Sequence, residues 1–271
     1  MTLTMSHGPL SGSPEPGNYR IVGPAHRLLF DGFPRRVRAV FAGETVLDTT
    51  HGALLHETGL LPQLYVPEAD VRTDLLSPSA HRTHCPFKGD ATYRSLAAGG
   101  RMSDNAVWAY EDPHDDATWL RGYRAFYWSA VDAWFDEDEE VTGHLRDPYH
   151  RVDVRRTRRL VRIVAGDEVI AETDHAQLLS ETGLPNRYYL PIEAVSSGVL
   201  EDSGTTTVCP YKGTATYSSA RVGGRTIEDA GWAYRDPFDQ VRQVAGHICF
   251  AHDELIVEVD GEATDQRMPT R

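Results

Sequence analysis

Two lysines carry the chemistry this chain offers. Of its 27 Lys and Arg residues, 25 are Arg, and the two Lys are Lys88 and Lys212. Each is the fourth residue of a Cys-Pro-aromatic-Lys-Gly string, Cys85-Pro86-Phe87-Lys88-Gly89 and Cys209-Pro210-Tyr211-Lys212-Gly213. A chain that writes nearly every positive charge as Arg has kept Lys at one repeated spot. A compact, titratable ammonium serves there where a wide planar guanidinium does not. The amine can anchor an anion or move a proton. The Cys beside it is a candidate nucleophile, because a neighbouring cation lowers a thiol pKa, although free Cys is also among the most buried residue types and often only packs. His51 and His175, which recur in both halves, are the candidate bases of a Cys/His arrangement. Glu57 and Glu181 read either as helix-end residues or as carboxylates facing the Lys.

Around these lies an aromatic set: Tyr65, Tyr93, Trp108 and Tyr110, matched by Tyr189, Tyr217, Trp232 and Tyr234. Aromatics alternating along strands usually form core. A mostly apolar pocket with a few polar groups is also how small-molecule sites are built, so one or two of them per half are expected to line a pocket. His81, His84 and Cys85 suggest a metal in the first half only, since the counterparts of the two His are Thr205 and Val208. With no C-x-x-C pair either, no metal and no cofactor are expected. Cys249 has Ala125 as its counterpart and reads as packing.

The elements that must position these residues come in two copies. An offset of 124 joins Cys85 to Cys209, Lys88 to Lys212, Tyr93 to Tyr217, Trp108 to Trp232 and Pro113 to Pro237, and positions 85–113 share 17 of 29 residues with 209–237. Upstream the same register joins His51 to His175, Glu57 to Glu181 and Tyr65 to Tyr189, with one residue gained near Asp167. This is duplication of a whole domain. In the first copy, Val37-Ala39-Phe41 alternation followed by Gly43 and Thr45-Val46-Leu47 predicts a hairpin. Gly52 to Glu57 predicts a short helical turn, and strands are predicted at 64–66, 71–76, 91–96, 106–110, 122–128 and 131–135. Gly99-Gly100 predicts a two-residue hairpin turn. The expected boundaries are a disordered segment 1–18, a first domain 19–140, a linker 141–157, a second domain 158–260 and a loose tail 261–271. The acidic run Asp136 to Glu140 reads as a solvated edge.

The strings Glu57-Thr58-Gly59, Tyr65-Val66-Pro67, Thr83-His84-Cys85-Pro86-Phe87-Lys88-Gly89, Trp108-Ala109-Tyr110 and Phe126-Tyr127-Trp128 ahead of Asp132-Ala133-Trp134-Phe135 resemble the bacterial domain of unknown function 427. The second half resembles it through Arg187-Tyr188-Tyr189-Leu190-Pro191, Cys209 to Gly213 and Trp232-Ala233-Tyr234, and departs from it in the aromatic tail, where Phe250-Ala251-His252 stands. The resemblance implies a mainly β fold: two tandem β-tent-like domains of short antiparallel strands with few short helices. The paired zinc-binding cysteines common among β-tent proteins are absent. The family also carries a nucleotidyltransferase-like label, yet the chain has neither a glycine-rich phosphate loop nor a paired-carboxylate metal site.

Composition narrows the function classes. A net charge of -13 and a pI near 5.3 disfavour a polyanion partner, and Arg155, Arg156, Arg158 and Arg159 read as a solvated approach to a strand. No apolar run reaches membrane-spanning length and the start lacks a signal-peptide pattern, so a cytoplasmic protein is expected. The reading is a small-molecule-processing enzyme with one Cys-Pro-aromatic-Lys-Gly site per repeat. The alternatives are a binding module for a small, anionic ligand and a two-site protein-interaction module. Oligomeric state is not legible.

Overall fold

The computed structural model describes residues 25–264 and 266, so the segment expected to be disordered, 1–18, lies outside the described residues. One compact unit ends at Leu145 and the next begins at Arg146. The first contains β1 (Leu28–Gly32), β2 (Val37–Phe41), β3 (Glu44–Thr49), β4 (Ala53–Glu57), β5 (Gln63–Pro67), β6 (Leu76–Cys85), β7 (Gly89–Ala98), β8 (Arg101–Ala109), β9 (Tyr123–Phe126), β10 (Ala133–Asp136) and β11 (Glu139–Glu140). The second repeats the series as β12 (Val152–Arg156), β13 (Val161–Ala165), β14 (Glu168–Thr173), β15 (Gln177–Glu181), β16 (Arg187–Pro191), β17 (Leu200–Cys209), β18 (Gly213–Val222), β19 (Arg225–Tyr234), β20 (His247–Phe250), β21 (Leu255–Val259) and β22 (Glu262–Thr264). Among the described residues the helical elements are all short 3-10 turns.

Each unit holds a seven-stranded sheet, ordered β1-β4-β5-β9-β8-β7-β6 or β12-β15-β16-β20-β19-β18-β17, and a four-stranded sheet, ordered β11-β10-β2-β3 or β14-β13-β21-β22. Every pairing is antiparallel. The two sheets of a unit share a core. Val37, Ala39 and Phe41 from β2 and Trp134 from β10 pack with Leu54, Val66, Leu96, Val107 and Phe126 of the larger sheet. Because side chains alternate across a strand, the neighbours of these residues point to the other face. There Tyr65, Tyr93, Tyr110, Ala125 and Leu55 form a second apolar cluster, with a counterpart in the second unit.

Four expectations are corrected. Ala53 to Glu57 is a strand and not a helical turn: β4 is flanked by β1 and β5, and Ala53, Leu54 and Leu55 are all buried. A short apolar run covered on both faces has no period by which to tell strand from helix. Val71 only bridges Leu47; a 3-10 turn follows at Thr73–Leu75, and the strand proper is β6, a mostly exposed edge with a bulge between Pro78 and Arg82. An edge strand with polar residues on both faces gives no alternation to read. The hairpins β2-β3 and β13-β14 match residue for residue, Val37 opposite Thr49 and Val161 opposite Thr173, so nothing is gained near Asp167. Finally, β12 lies within the expected linker and takes Arg155 and Arg156 into a sheet, while β22 puts Glu262–Thr264 of the expected tail into another.

Candidate functional site

The β6-β7 hairpin presents Lys88. Cys85 pairs with Gly89, the Lys88 N–H donates to the Cys85 carbonyl at 3.2 Å, and Gly89 turns the chain back at φ 103°. Pro86 after Cys85 and Gly after Lys88 are the residues such a turn favours. The loop 112–114 lies so close over Gly89 that a Cβ there would sit 3.4 Å from the Asp112 carbonyl oxygen and the His114 nitrogen. The turn is thereby fixed, and the lysine side chain runs inward, buried.

Its Nζ meets Glu57 at the end of β4 in a close ion pair, while His26 Nε2 lies 3.0 Å from the other carboxylate oxygen. Sheet register brings the histidine there. Leu28 is opposite Glu57, and the Arg27 N–H donates to Thr58 Oγ1 at 2.9 Å, leaving His26 just beyond the strand end. The Phe87 ring stacks on His26 at 3.8 Å. The second unit repeats the set: Lys212 Nζ to Glu181 Oε2 at 2.5 Å, His150 Nε2 to Glu181 Oε1 at 2.9 Å, and Arg151 N–H to Thr182 Oγ1 at 2.9 Å.

The aromatic residues form a row. Across β5-β9-β8-β7, Tyr65 is opposite Ala125, Ala125 opposite Trp108, and Trp108 opposite Tyr93. The second unit has Tyr189, Cys249, Trp232 and Tyr217 in the same row. Trp108 Nε1 donates to the Tyr65 hydroxyl at 3.3 Å, and Trp232 Nε1 to the Tyr189 hydroxyl at 3.1 Å. Over the row of the first unit lies a cavity of about 400 Å³, with Glu57, Lys88, Tyr65, Tyr93, Trp108 and Tyr110 among its walls, closed further by Tyr127, Trp128 and the loop Leu60 to Gln63.

A family model, described as a domain of unknown function (DUF427), matches residues 30–137 and again 153–264. The chain belongs to that family. It contains two copies of the domain in tandem, and no curated protein matches it. Both DUF427 copies hold the lysine, the glutamate, the tyrosine and the tryptophan in equivalent places. They differ at the rim, where Tyr127 and Trp128 of the first copy give way to Ala251 and His252, and where Gln63 gives way to Arg187.

Not every expected site residue is gathered. Cys85 is half-buried and packs in the apolar cluster with Leu28, Phe30 and Trp108, not on the cavity wall, and Cys209 does the same beside Val152 and Trp232. His51 points outward near Asp70, and His175 lies outside between Asp174 and Arg158, so neither histidine reaches a cysteine or the cavity. His84 pairs with Asp90 and His81 sets its ring against Tyr93. Among the described residues no group of three or more His, Cys, Asp or Glu side chains is placed to hold a metal. The histidines that do reach the site, His26 and His150, carried a signal in the sequence: 150 − 26 is the same offset of 124.

The electrostatics follow from burial and pairing. Burial alone would raise the Glu181 carboxyl. The hydrogen bond from His150, then the charge and hydrogen bond of Lys212, outweigh it and hold the group below its ordinary value. Tyr65 and Tyr110 are pushed far up by burial, with Glu57 and Cys85 adding to the effect, so both phenols stay neutral. Tyr127 rises to about 12 through burial and its contact with Tyr93. Cys249, fully enclosed, is pushed up to about 12 by burial. A lysine already neutralised by a carboxylate is a different object from the free anion anchor that the residue types alone suggest.

Proposed function

We propose that the first DUF427 copy is a small-molecule-processing enzyme that supplies a proton to its ligand from Lys88. The observation that carries the reading is the buried Lys88–Glu57 pair on the wall of an aromatic cavity. The pair sums to zero charge. The site therefore suits a flat, uncharged molecule lying against Tyr65, Trp108 and Tyr127, with a carbonyl-type oxygen turned towards the amine. Glu57 holds the Lys88 amine in place on the wall, and the Tyr65 phenol, held neutral by burial, is a second donor on the same wall. Paired donors aimed at an oxygen stabilise negative charge that develops there during reaction, and a positioned acid contributes about 10²- to 10⁴-fold in rate.

Binding without turnover is the second reading. It is favoured by the position of Cys85, which leaves the cavity without a nucleophilic thiol. A panel of small aromatic ketones and aldehydes, with the matching carboxylates, tests both. In protein labelled with ¹⁵N in lysine, only Lys88 and Lys212 give side-chain signals, and the carbonyl compounds are expected to shift that of Lys88 ahead of the carboxylates. Lys88→Arg is expected to abolish this binding, because the guanidinium cannot keep the amine's place beside Glu57. A Lys88 signal indifferent to the whole panel sinks the proposal. Chemical change of a bound compound, lost in Lys88→Arg, separates enzyme from binder.

A further inference from the structure

We infer that His26 is the proton port of the first site, joining the enclosed Lys88–Glu57 pair to solvent, and that the second copy lacks such a port. The two Lys–Glu–His sets match in their contacts and in the burial of the lysine and the glutamate. Lys88 and Lys212 have the same side-chain exposure, 10%, and Glu57 and Glu181 have 9% and 7%. Direct access of water to the amine therefore does not distinguish them. The histidines differ: His26 is 24% exposed and His150 is 4%.

In the first copy the path is continuous. Lys88 holds Glu57 Oε2, His26 holds Glu57 Oε1, and the imidazole, stacked on the Phe87 ring, is itself partly open to solvent. The ionisable groups facing this path are Glu57 from β4 and Lys88 from the β6-β7 turn, with Tyr65 and Tyr110 close to Glu57 and, in turn, to Cys85. When Lys88 gives its proton to a ligand oxygen it is left a neutral amine. His26, protonated from water on Nδ1, releases the Nε2 proton to Glu57. The carboxyl group turns about its Cγ–Cδ bond and hands that proton to Lys88 Nζ. This restores the ammonium and the carboxylate; the imidazole, left with its proton on Nδ1, takes a proton from water on Nε2 as the ring swings clear of the carboxylate, and releases the Nδ1 proton to water.

In the second copy the path is capped. Tyr211 covers His150 with ring centroids 4.2 Å apart and is itself pinned, since the Asp147 N–H donates to its hydroxyl at 2.7 Å and Gln240 Nε2 to its carbonyl at 2.7 Å. Arg146 Nε holds the neighbouring Pro210 carbonyl at 2.7 Å. The Nδ1 of His150 is buried without a hydrogen-bond partner. A proton arriving there has no onward acceptor, so the second triad is built to hold its ion pair in place and not to recharge it.

As a part of turnover, the port rests on the reading of Lys88 as a proton donor; as a path for protons it stands on the geometry. The lysine signals test it without any ligand. In the intact protein the Lys88 ammonium is expected to exchange protons with water faster than that of Lys212. His26→Gln keeps an N–H towards Glu57 Oε1 but cannot relay, and is expected to slow Lys88 exchange by about tenfold or more while leaving Lys212 alone. Equal exchange at the two lysines of the unaltered protein overturns the inference, as does a folded His26→Gln protein whose Lys88 rate is unchanged. The wild-type comparison needs no variant and stands even if His26→Gln fails to fold. Failure of carbonyl compounds to shift Lys88 would remove the proposed function and leave these exchange rates as they are.

Discussion

At the scale of single residues, the site is a carboxylate held from both sides. Burying Glu57 or Glu181 without partners would cost several kcal/mol, roughly the penalty for one uncompensated ion in a protein interior. The lysine and the histidine together remove that cost. The consequence for acid stability has a definite sign. The Glu181 carboxyl lies below its ordinary value in the folded chain, so its contribution is fully present above the unfolded pKa of about 4.3 and is lost as pH falls through the depressed folded value. Comparing the melting temperature of the wild type with Glu181→Gln across pH should therefore show the largest gap near neutrality and a shrinking gap below the ordinary carboxylate range. A gap that widens on acidification would show that the pair does not favour the charged form.

At the scale of elements, the β7-β8 and β18-β19 hairpins are a controlled pair. Gly99 and Gly223 open the two turns with φ of 55° and 56°. Either replacement by Ala meets the left-handed penalty of roughly 1–2 kcal/mol. Only at Gly99 would the new Cβ also collide, 2.9 Å from the Ala42 Cβ and 3.0 Å from its carbonyl oxygen, whereas nothing lies within 4 Å at Gly223. Gly99→Ala should thus destabilise the protein more than Gly223→Ala, as read by urea unfolding. Equal losses would mean that the β2-β3 turn yields freely.

For the whole molecule, each DUF427 copy owns its core: the apolar clusters of the first unit draw on residues 28–145 and those of the second on 152–259. Leu96 is fully buried in the first, and its counterpart in the second is already the smaller Ala220. Leu96→Ala should cost about 2–5 kcal/mol, the usual range for a buried leucine truncated in a packed core. Amide hydrogen exchange should rise across β2, β7 and β8 and stay unchanged across β13, β18 and β19. Loss of protection in both sets would tie the two cores into one cooperative unit. Among the described residues no helix is long and apolar enough to cross a membrane.

What the sequence determined by itself was whatever repeats or alternates. The offset of 124 established the duplication; the β2-β3 alternation, the Gly99-Gly100 turn and the Cys-Pro-aromatic-Lys-Gly string located strands and turns, because local sterics and a two-residue side-chain period act within a few positions of the chain. It also singled out Lys88, Glu57, Tyr65, Tyr93 and Trp108 as a candidate set. The tertiary structure decided which residues meet. Antiparallel pairing put Leu28 opposite Glu57 and so brought His26, not His51, to the carboxylate. The same pairing seated Cys85 in the apolar cluster beneath the cavity wall. Neither outcome is local. A histidine 31 positions from its glutamate is placed only by register between strands, and the half-buried state of a cysteine at a strand end depends on what packs over it from elsewhere in the chain.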